Sequence, residues 1–463
     1  VRATQNSIGS NVETLYHILD GKAEALEFKI CDNSPIVGRT LSELNLKKNL
    51  LVGCLYRDGS VRIPRGHDAL EIGDRVVIVT THRGLRDIND ILAMISYILG
   101  WIFNFEAAFM ILPGITAIIY REKNGLAFLI TMLICLTIGI PLTRRKRKSK
   151  VFHAKEGAVT VALSWLVLSI AGALPFIISG SIPHPIDAIF ETVSGFTTTG
   201  ASILSDVEAL SHCMLIWRSF THWIGGMGVL VFILCLLPLT GGYHMNLMKA
   251  ESPGPSVSKL VPKVQSTAKI LYTIYIILTI VEIIFLLIGK MPLFDTLCLS
   301  FGTAGTGGFG VKNDSIASYS TYNQVVITVF MILFGINFNA YYLLLTKKVM
   351  QAAKNEEVRY YLGIIGLAIV AIAINTREMF TSFGSAFQQA AFQVGSIITT
   401  TGYATTDFNV WPVFSKTILV ILMFVGACAG STGGGIKVSR LLILCKSARK
   451  ELQLYLHPNA VKK

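Results

Sequence analysis

Charge is what this sequence has least of. Asp, Glu, Lys and Arg make up only 15% of its 463 residues against 52% hydrophobic residues, and the mean hydropathy is +0.58. That balance excludes an ordinary soluble domain of this size. Acids are scarcer than bases, 28 against 41, which leaves a net charge of +13. The excess is not a nucleic-acid surface, because the bases fall in short runs beside apolar segments, as in Arg144-Arg145-Lys146-Arg147-Lys148 and Lys347-Lys348. Cytoplasmic loops of membrane proteins carry such runs. Cysteine is sparse and lacks CxxC spacing, so neither a disulfide framework nor a metal cluster is expected; Cys135, Cys235, Cys428 and Cys445 lie in or beside apolar segments and read as small apolar residues. No Ser/His/Asp, Cys/His, HExxH or paired-carboxylate arrangement stands out. The sequence therefore predicts neither an enzyme nor a bound cofactor. No cleavable leader precedes the first apolar segment, so the expected location is a bacterial-type inner membrane, with the N-terminal region in the cytoplasm.

What is present begins with a soluble-looking stretch of ninety residues. Residues 25–30, 50–56, 61–64 and 75–80 are short β-rich runs separated by turn signals such as Asp58-Gly59 and Gly73-Asp74. Residues 40–44 open like a capped helix, and residues 7–19 read as a helix. The expectation is a small α+β domain. It contains no GxGxxG, so no nucleotide site is assigned to it. From Ile91 onward, apolar stretches long enough to cross a bilayer fall near residues 91–119, 125–142, 157–179, 214–238, 270–289, 324–346, 358–375 and 411–446. Eight crossings are expected, with residues 143–150 and 347–348 inside.

Between the later pairs of spans lie three related segments too short to cross. They end in Thr198-Thr199-Gly200, Thr306-Gly307-Gly308 and Thr400-Thr401-Gly402, whose last glycines lie 108 and 94 residues apart. A unit of about a hundred residues therefore repeats three times, and a fourth terminal Gly would fall near residue ~500. Each segment is expected to enter the membrane as a short helix and return as a re-entrant strand lining a water-filled path. Glycine permits backbone angles that turn consecutive carbonyls toward one axis, and threonine adds hydroxyl oxygens without fixed charge. Such an oxygen ring suits a hard monovalent cation. Asp187 and Asp295 stand 13 residues before their terminal glycines, where a short acid would favour a helix N-terminus; the third copy has Gln389 there.

The last apolar stretch is interrupted at residues 426–435. Gly430, Ser431, Gly433, Gly434 and Gly435, followed by Lys437, are too many breakers for a continuous helix at ~1 kcal/mol per Gly. A Walker-type phosphate loop is excluded by Ile436 before the lysine and by the absence of a preceding strand. A break beneath the third re-entrant loop is expected, with a tightly packed Gly kink against a neighbouring helix as the plainer alternative. Glu282, His222, Arg218, Asn337 and Asn339 fall in or near spans and are expected to be paired structurally, with His222 at the interface rather than a ligand.

Two resemblances rest on these residues. Val37-Gly38-Arg39-Thr40-Leu41, Arg62-Ile63-Pro64-Arg65-Gly66 and Gly73-Asp74-Arg75-Val76-Val77-Ile78-Val79 resemble the C-terminal half of the RCK module of TrkA-type potassium regulators. The three Thr/Gly segments, with Ser194-Gly195-Phe196 and Gly308-Phe309 around them, resemble the filter loops of the TrkH/TrkG/KtrB potassium-uptake family. The second resemblance implies a mainly α polytopic membrane protein with M1-P-M2 repeats and re-entrant pore loops, here behind a small soluble α+β N-terminal domain. The expected parts are that domain at 1–90, a two-helix hairpin at 91–142, and M1-P-M2 units at 143–241, 242–348 and 349–463. It further implies potassium transport, with K⁺ at residues 198–200, 306–308 and 400–402 and gating by the Gly-rich loop. The implied partners are membrane lipid, a second copy in a homodimer or a TrkA-type subunit, and a polypeptide supplying a fourth pore unit. A non-conducting membrane scaffold and a membrane-tethered sensor remain alternatives.

Overall fold

The computed structural model describes residues 12–18, 23–30, 38, 40–43, 50–80, 88–144, 154–228 and 264–456. The chain separates into two compact units, Val1–Asp90 and Ile91–Lys463.

The first unit is an antiparallel sheet of β1 (Val12–Ile18), β2 (Ala23–Lys29), β3 (Leu50–Arg57), β4 (Ser60–Arg62) and β5 (Arg75–Thr80), in the order β1-β2-β5-β3-β4. β5 lies between β2 and β3, with Leu26 opposite Ile78 and Leu55 opposite Val76. One face buries Ile30, Leu55, Leu70 and Val76. The helix expected over 7–19 is instead β1 across 12–18, the remainder lying outside the described residues; Val-Glu-Thr-Leu-Tyr-His-Ile is rich in β-branched and aromatic residues, and pairing with β2 decides it. The helix expected at 40–44 is a turn at 41–43, with the Thr40 amide donating to Glu43; residues 44–49 lie outside the described set. Asp74 is buried and held by Arg57 through Nε at 2.7 Å and Nη2 at 2.6 Å, and by the Glu71 amide at 2.8 Å.

The second unit is helical. Its first helices are α1 (Ile88–Phe109), α2 (Ile111–Tyr120) and α3 (Gly125–Arg144). Three repeated hairpins follow. The first is α4 (Ala154–Ser179), α5 (Pro185–Phe196) and α6 (His212–Gly226). The second is α7 (Val264–Ile288), α8 (Leu293–Ala304) and α9 (Thr321–Phe334). After α10 (Phe338–Leu345) and α11 (Val349–Ala353), the third is α12 (Glu356–Asn375), α13 (Phe383–Ile398) and α14 (Val413–Phe424), and α15 (Val438–Leu456) completes the unit. Among the described residues, five helical stretches are long and apolar enough to cross a membrane, or six if the bent pair α9/α10 is one span.

The repeats join into an arc. α6 packs on α8 of the next repeat, and α9 packs on α13 of the one after. Each repeat has its own apolar core, centred on Trp217, on Tyr275 with Phe334, and on Tyr361 with Ile372. Large apolar side chains such as Ile118, Leu126, Leu133, Ile284 and Leu367 remain exposed on the outside, where hydrocarbon rather than water would cover them. The α2–α3 turn is pinned to the first repeat by Glu122, which accepts from the His212 and Cys213 amides at 2.8 and 2.9 Å at the start of α6.

One expected span is altered. The stretch 324–346 is not continuous, because α9 and α10 meet at 91°. Part of 214–238 lies outside the described residues, as do residues 145–148 of the basic run. The break expected within 411–446 is present between α14 and α15.

Candidate ion-selectivity site

The short helices α5, α8 and α13 end in one repeated structure. In the first, Thr198 N donates to Gly195 O at 3.1 Å and Thr199 N to Ser194 O at 2.9 Å. Thr306 N to Thr303 O and Gly307 N to Gly302 O repeat it at 3.0 and 2.9 Å, and Thr400 N to Ile397 O and Thr401 N to Ser396 O do so at 3.0 and 2.9 Å. This is a Schellman cap, which needs a left-handed residue just past the helix. That position is usually glycine, yet here it is Thr198, Thr306 and Thr400, with φ of 53°, 53° and 61°. Two residues on, Gly200, Gly308 and Gly402 are left-handed again, with φ of 76°, 83° and 86°. The backbone thus leaves each helix in the same conformation three times, so equivalent carbonyls take equivalent positions. The C-terminal ends of the three helices, with their partial negative charge, lie at the loops, which favours a cation there.

The three loops are consecutive neighbours. A Cβ on Gly200 would collide with the Gly307 carbonyl oxygen, and one on Gly308 would collide with the Thr401 carbonyl oxygen. Around Gly402, in contrast, nothing among the described residues lies within 4 Å of the corresponding Cβ position. The arc is open on its other flank too. Thr197 and Thr199 of the first loop are exposed, whereas their counterparts Thr399 and Thr401 in the third are buried. In both loops the pair is joined hydroxyl to hydroxyl at 2.8 Å.

Cross-links hold the loops in register. Tyr403 donates to Leu299 O at 3.2 Å and Phe309 O at 3.3 Å, and the Ile316 amide donates to Ala404 O at 3.0 Å. Arg218, expected to be paired, is bound to Glu191 on α5, donates to Gly310 O at 3.1 Å and lies 3.6 Å over the Phe309 ring. Glu191 also accepts from Ser202 and from the Ile203 amide. This buried ion pair therefore ties the first loop to the second. Sequence reading missed Glu191, although a second acid one turn after Asp187 in the short re-entrant helix, matched by the lone Arg of α6, was the available signal. Asp187 and Asp295 do lie in the first turns of α5 and α8, but Gln389 sits inside α13, which starts earlier at its Ser382 cap. His222 is not interfacial: it is fully buried and stacks on Phe309 with ring centroids 4.1 Å apart.

The Gly-rich break lies against the loops. Thr306 Oγ1 donates to Thr432 O at 3.0 Å, and the Gly434 amide donates to Thr400 Oγ1 at 2.7 Å. The break thus contacts the loop ends nearest the helix C-termini. It also fills the gap between α9 and α10, where Cys428 N donates to Gly335 O at 3.0 Å and Phe338 N to Gly430 O at 2.9 Å. Two interrupted helices satisfy each other's free backbone groups, which is why neither interruption is costly at membrane depth. Glu357 accepts from the Ala429 amide at 2.6 Å and from Asn337 at 3.2 Å, and Lys437 Nζ donates to Gly433 O. Among the described residues no three His, Cys, Asp or Glu side chains group as a metal site.

A family model described as TrkH, cation transport protein, matches residues 124–463, and one described as the TrkA-C domain matches residues 25–93. Trk system potassium uptake protein TrkH of Escherichia coli strain K12 is 37% identical over 374 residues, covering 79% of this chain and 77% of that protein. Trk system potassium uptake protein TrkG of the same strain is 33% identical over 375 residues, covering 80% and 77%. The crystal structure of the potassium transporter TrkH from Vibrio parahaemolyticus superposes with a TM-score of 0.71 at 32% identity, covering 80% of this chain and 78% of that one.

Proposed function

The chain belongs to the TrkH cation transport family, and on that premise we propose that it is a potassium-translocating pore subunit of a bacterial inner membrane rather than an enzyme. The observation that carries the reading is the threefold repetition of one filter backbone, with left-handed Thr198, Thr306 and Thr400 each followed by left-handed Gly200, Gly308 and Gly402. Carbonyls of residues 198–200, 306–308 and 400–402 replace the water shell of K⁺ on three sides. The membrane potential supplies the driving force, ~2.3 kcal/mol per charge per 100 mV. The Gly-rich loop gates the inner end, and Lys437 places an ammonium on Gly433 O beside the ion path, an electrostatic barrier that must move for an ion to pass. The basic runs support a cytoplasmic N-terminal domain, working as a TrkA-type regulatory module, alone or with a regulatory subunit and a second copy of the chain.

The open flank at Gly402 supports a fourth filter loop, supplied by further polypeptide, on that side. It also favours the second reading, a scaffold that does not conduct unless the ring is completed. Uptake of K⁺ against Na⁺ by the transport-competent assembly in a host lacking its own potassium systems tests both. The pore reading expects K⁺ preference that falls at least tenfold in Gly308→Ala; an unchanged ratio would remove its main support.

A further inference from the structure

We infer that His222 is a positioning residue that sets the spacing of the first and second filter loops, its ring occupying the space that a Cβ at position 307 would need. The inference rests on the filter reading above and adds to it the element that fixes the ring's width. Position 307 is the odd one of three: the equivalent residues are Thr199 and Thr401. Backbone conformation does not demand glycine there, because Gly307 is not among the positive-φ glycines, unlike Gly308 beside it. What demands it is the imidazole. A Cβ on Gly307 would overlap His222 Cγ and Nδ1 and stand 2.5 Å from Cδ2.

His222 is held from its other sides. Phe309 stacks on it at 4.1 Å, and Phe309 is itself covered by Arg218 one turn earlier on α6. The His222 carbonyl lies where a Cβ on Gly305 would be, so backbone as well as ring approaches the second loop. One residue before it on the same helix, Thr221 fills the space beside Gly195, and one turn on, Gly225 lies against the Phe196 carbonyl; both partners belong to the end of the first pore helix. The helix is therefore a wedge between two loops, and His222 is its fully buried edge. Moving these carbonyls changes the set of oxygens that replaces an ion's water shell.

The test is a double-mutant cycle in the full chain within its transport-competent assembly, reading the ratio of Rb⁺ to Na⁺ uptake together with the melting temperature of the purified protein. Gly307→Ala and His222→Ala are each expected to lower the ratio about tenfold, and His222→Ala with Gly307→Ala to recover most of that loss, since contacting residues couple strongly. His222→Phe, which keeps the ring, should retain the wild-type ratio. If Gly307→Ala does not fold, folding of the double variant supports the inference and its failure overturns it. Wild-type selectivity in Gly307→Ala, or a double variant no better than Gly307→Ala in either readout, also overturns it. A wild-type protein without any Rb⁺ preference would instead sink the filter reading, and the melting temperatures would still decide the His222–Gly307 coupling.

Discussion

Gly308 and Gly402 have the same backbone conformation but different surroundings, and substitution separates the two effects. Alanine at either must adopt a positive φ, which costs roughly 1–2 kcal/mol. At Gly308 the methyl also meets the Thr401 carbonyl, whereas at Gly402 it meets no described atom. Gly308→Ala is therefore expected to destabilise the chain by itself more than Gly402→Ala, measured as the melting temperature of the purified protein. Once a fourth loop occupies the open flank, the two substitutions should become equally damaging. The terminal glycines were legible in the sequence because nothing but glycine serves there. The left-handed threonines were not, since threonine advertises β structure and the Schellman cap that overrides it depends on the preceding helix. Nor was His222: a histidine in Ser219-Phe220-Thr221-His222-Trp223 has an interfacial composition, and only the approach of the second loop, from 83 residues away, buries it.

At the scale of elements, the two interrupted helices act as one part. The sequence disclosed the break at residues 426–435 through its glycines, but not the one between α9 and α10, where Gly335-Ile336-Asn337 carries a single glycine and the break is satisfied only by the loop that fills it. Gly434→Ala would bring a methyl 2.8 Å from Thr400 Oγ1, so it should push the loop off the filter and change open probability. Lys437→Gln removes the ammonium from Gly433 O and is expected to raise flux severalfold without altering the K⁺ to Na⁺ ratio, as read by single-channel recording; unchanged flux would favour a packing role for the loop. In the sheet domain, burial by itself would raise the Asp74 carboxyl, but the Arg57 guanidinium and the Glu71 amide outweigh it and hold it below the usual carboxylate range. A depressed folded-state value means that Asp74 contributes stability above the ordinary carboxylate range and loses it as pH falls through the depressed value. Thermal melts of the domain between neutral and acid pH should show that loss, and Asp74→Asn should lower the neutral melting temperature and flatten the acid dependence.

For the whole molecule, the repeat length, the membrane class and the regulator-like first ninety residues could all be read from pattern, since each is written in local composition. The arc could not, because its closure depends on which helix of one repeat backs the loop of the next: α6 behind the second loop and α9 behind the third. The first loop has no such backing among the described residues, and Thr197 and Thr199 are exposed there. An ion between three loops would meet lipid or water on the fourth side, where its dehydration is not repaid. Residues 12–456 reconstituted in liposomes are accordingly expected to show no K⁺-selective flux, and co-assembly with a fragment carrying a fourth filter loop is expected to restore it. The account's central claim is that residues 198–200, 306–308 and 400–402 converge on one cation, and anomalous scattering from crystals of the assembled protein grown in Rb⁺ tests it most directly. The predicted result is a peak on the axis within coordination distance of carbonyls from all three loops, lost in Gly308→Ala; strong Rb⁺ peaks elsewhere with none between the loops would contradict it.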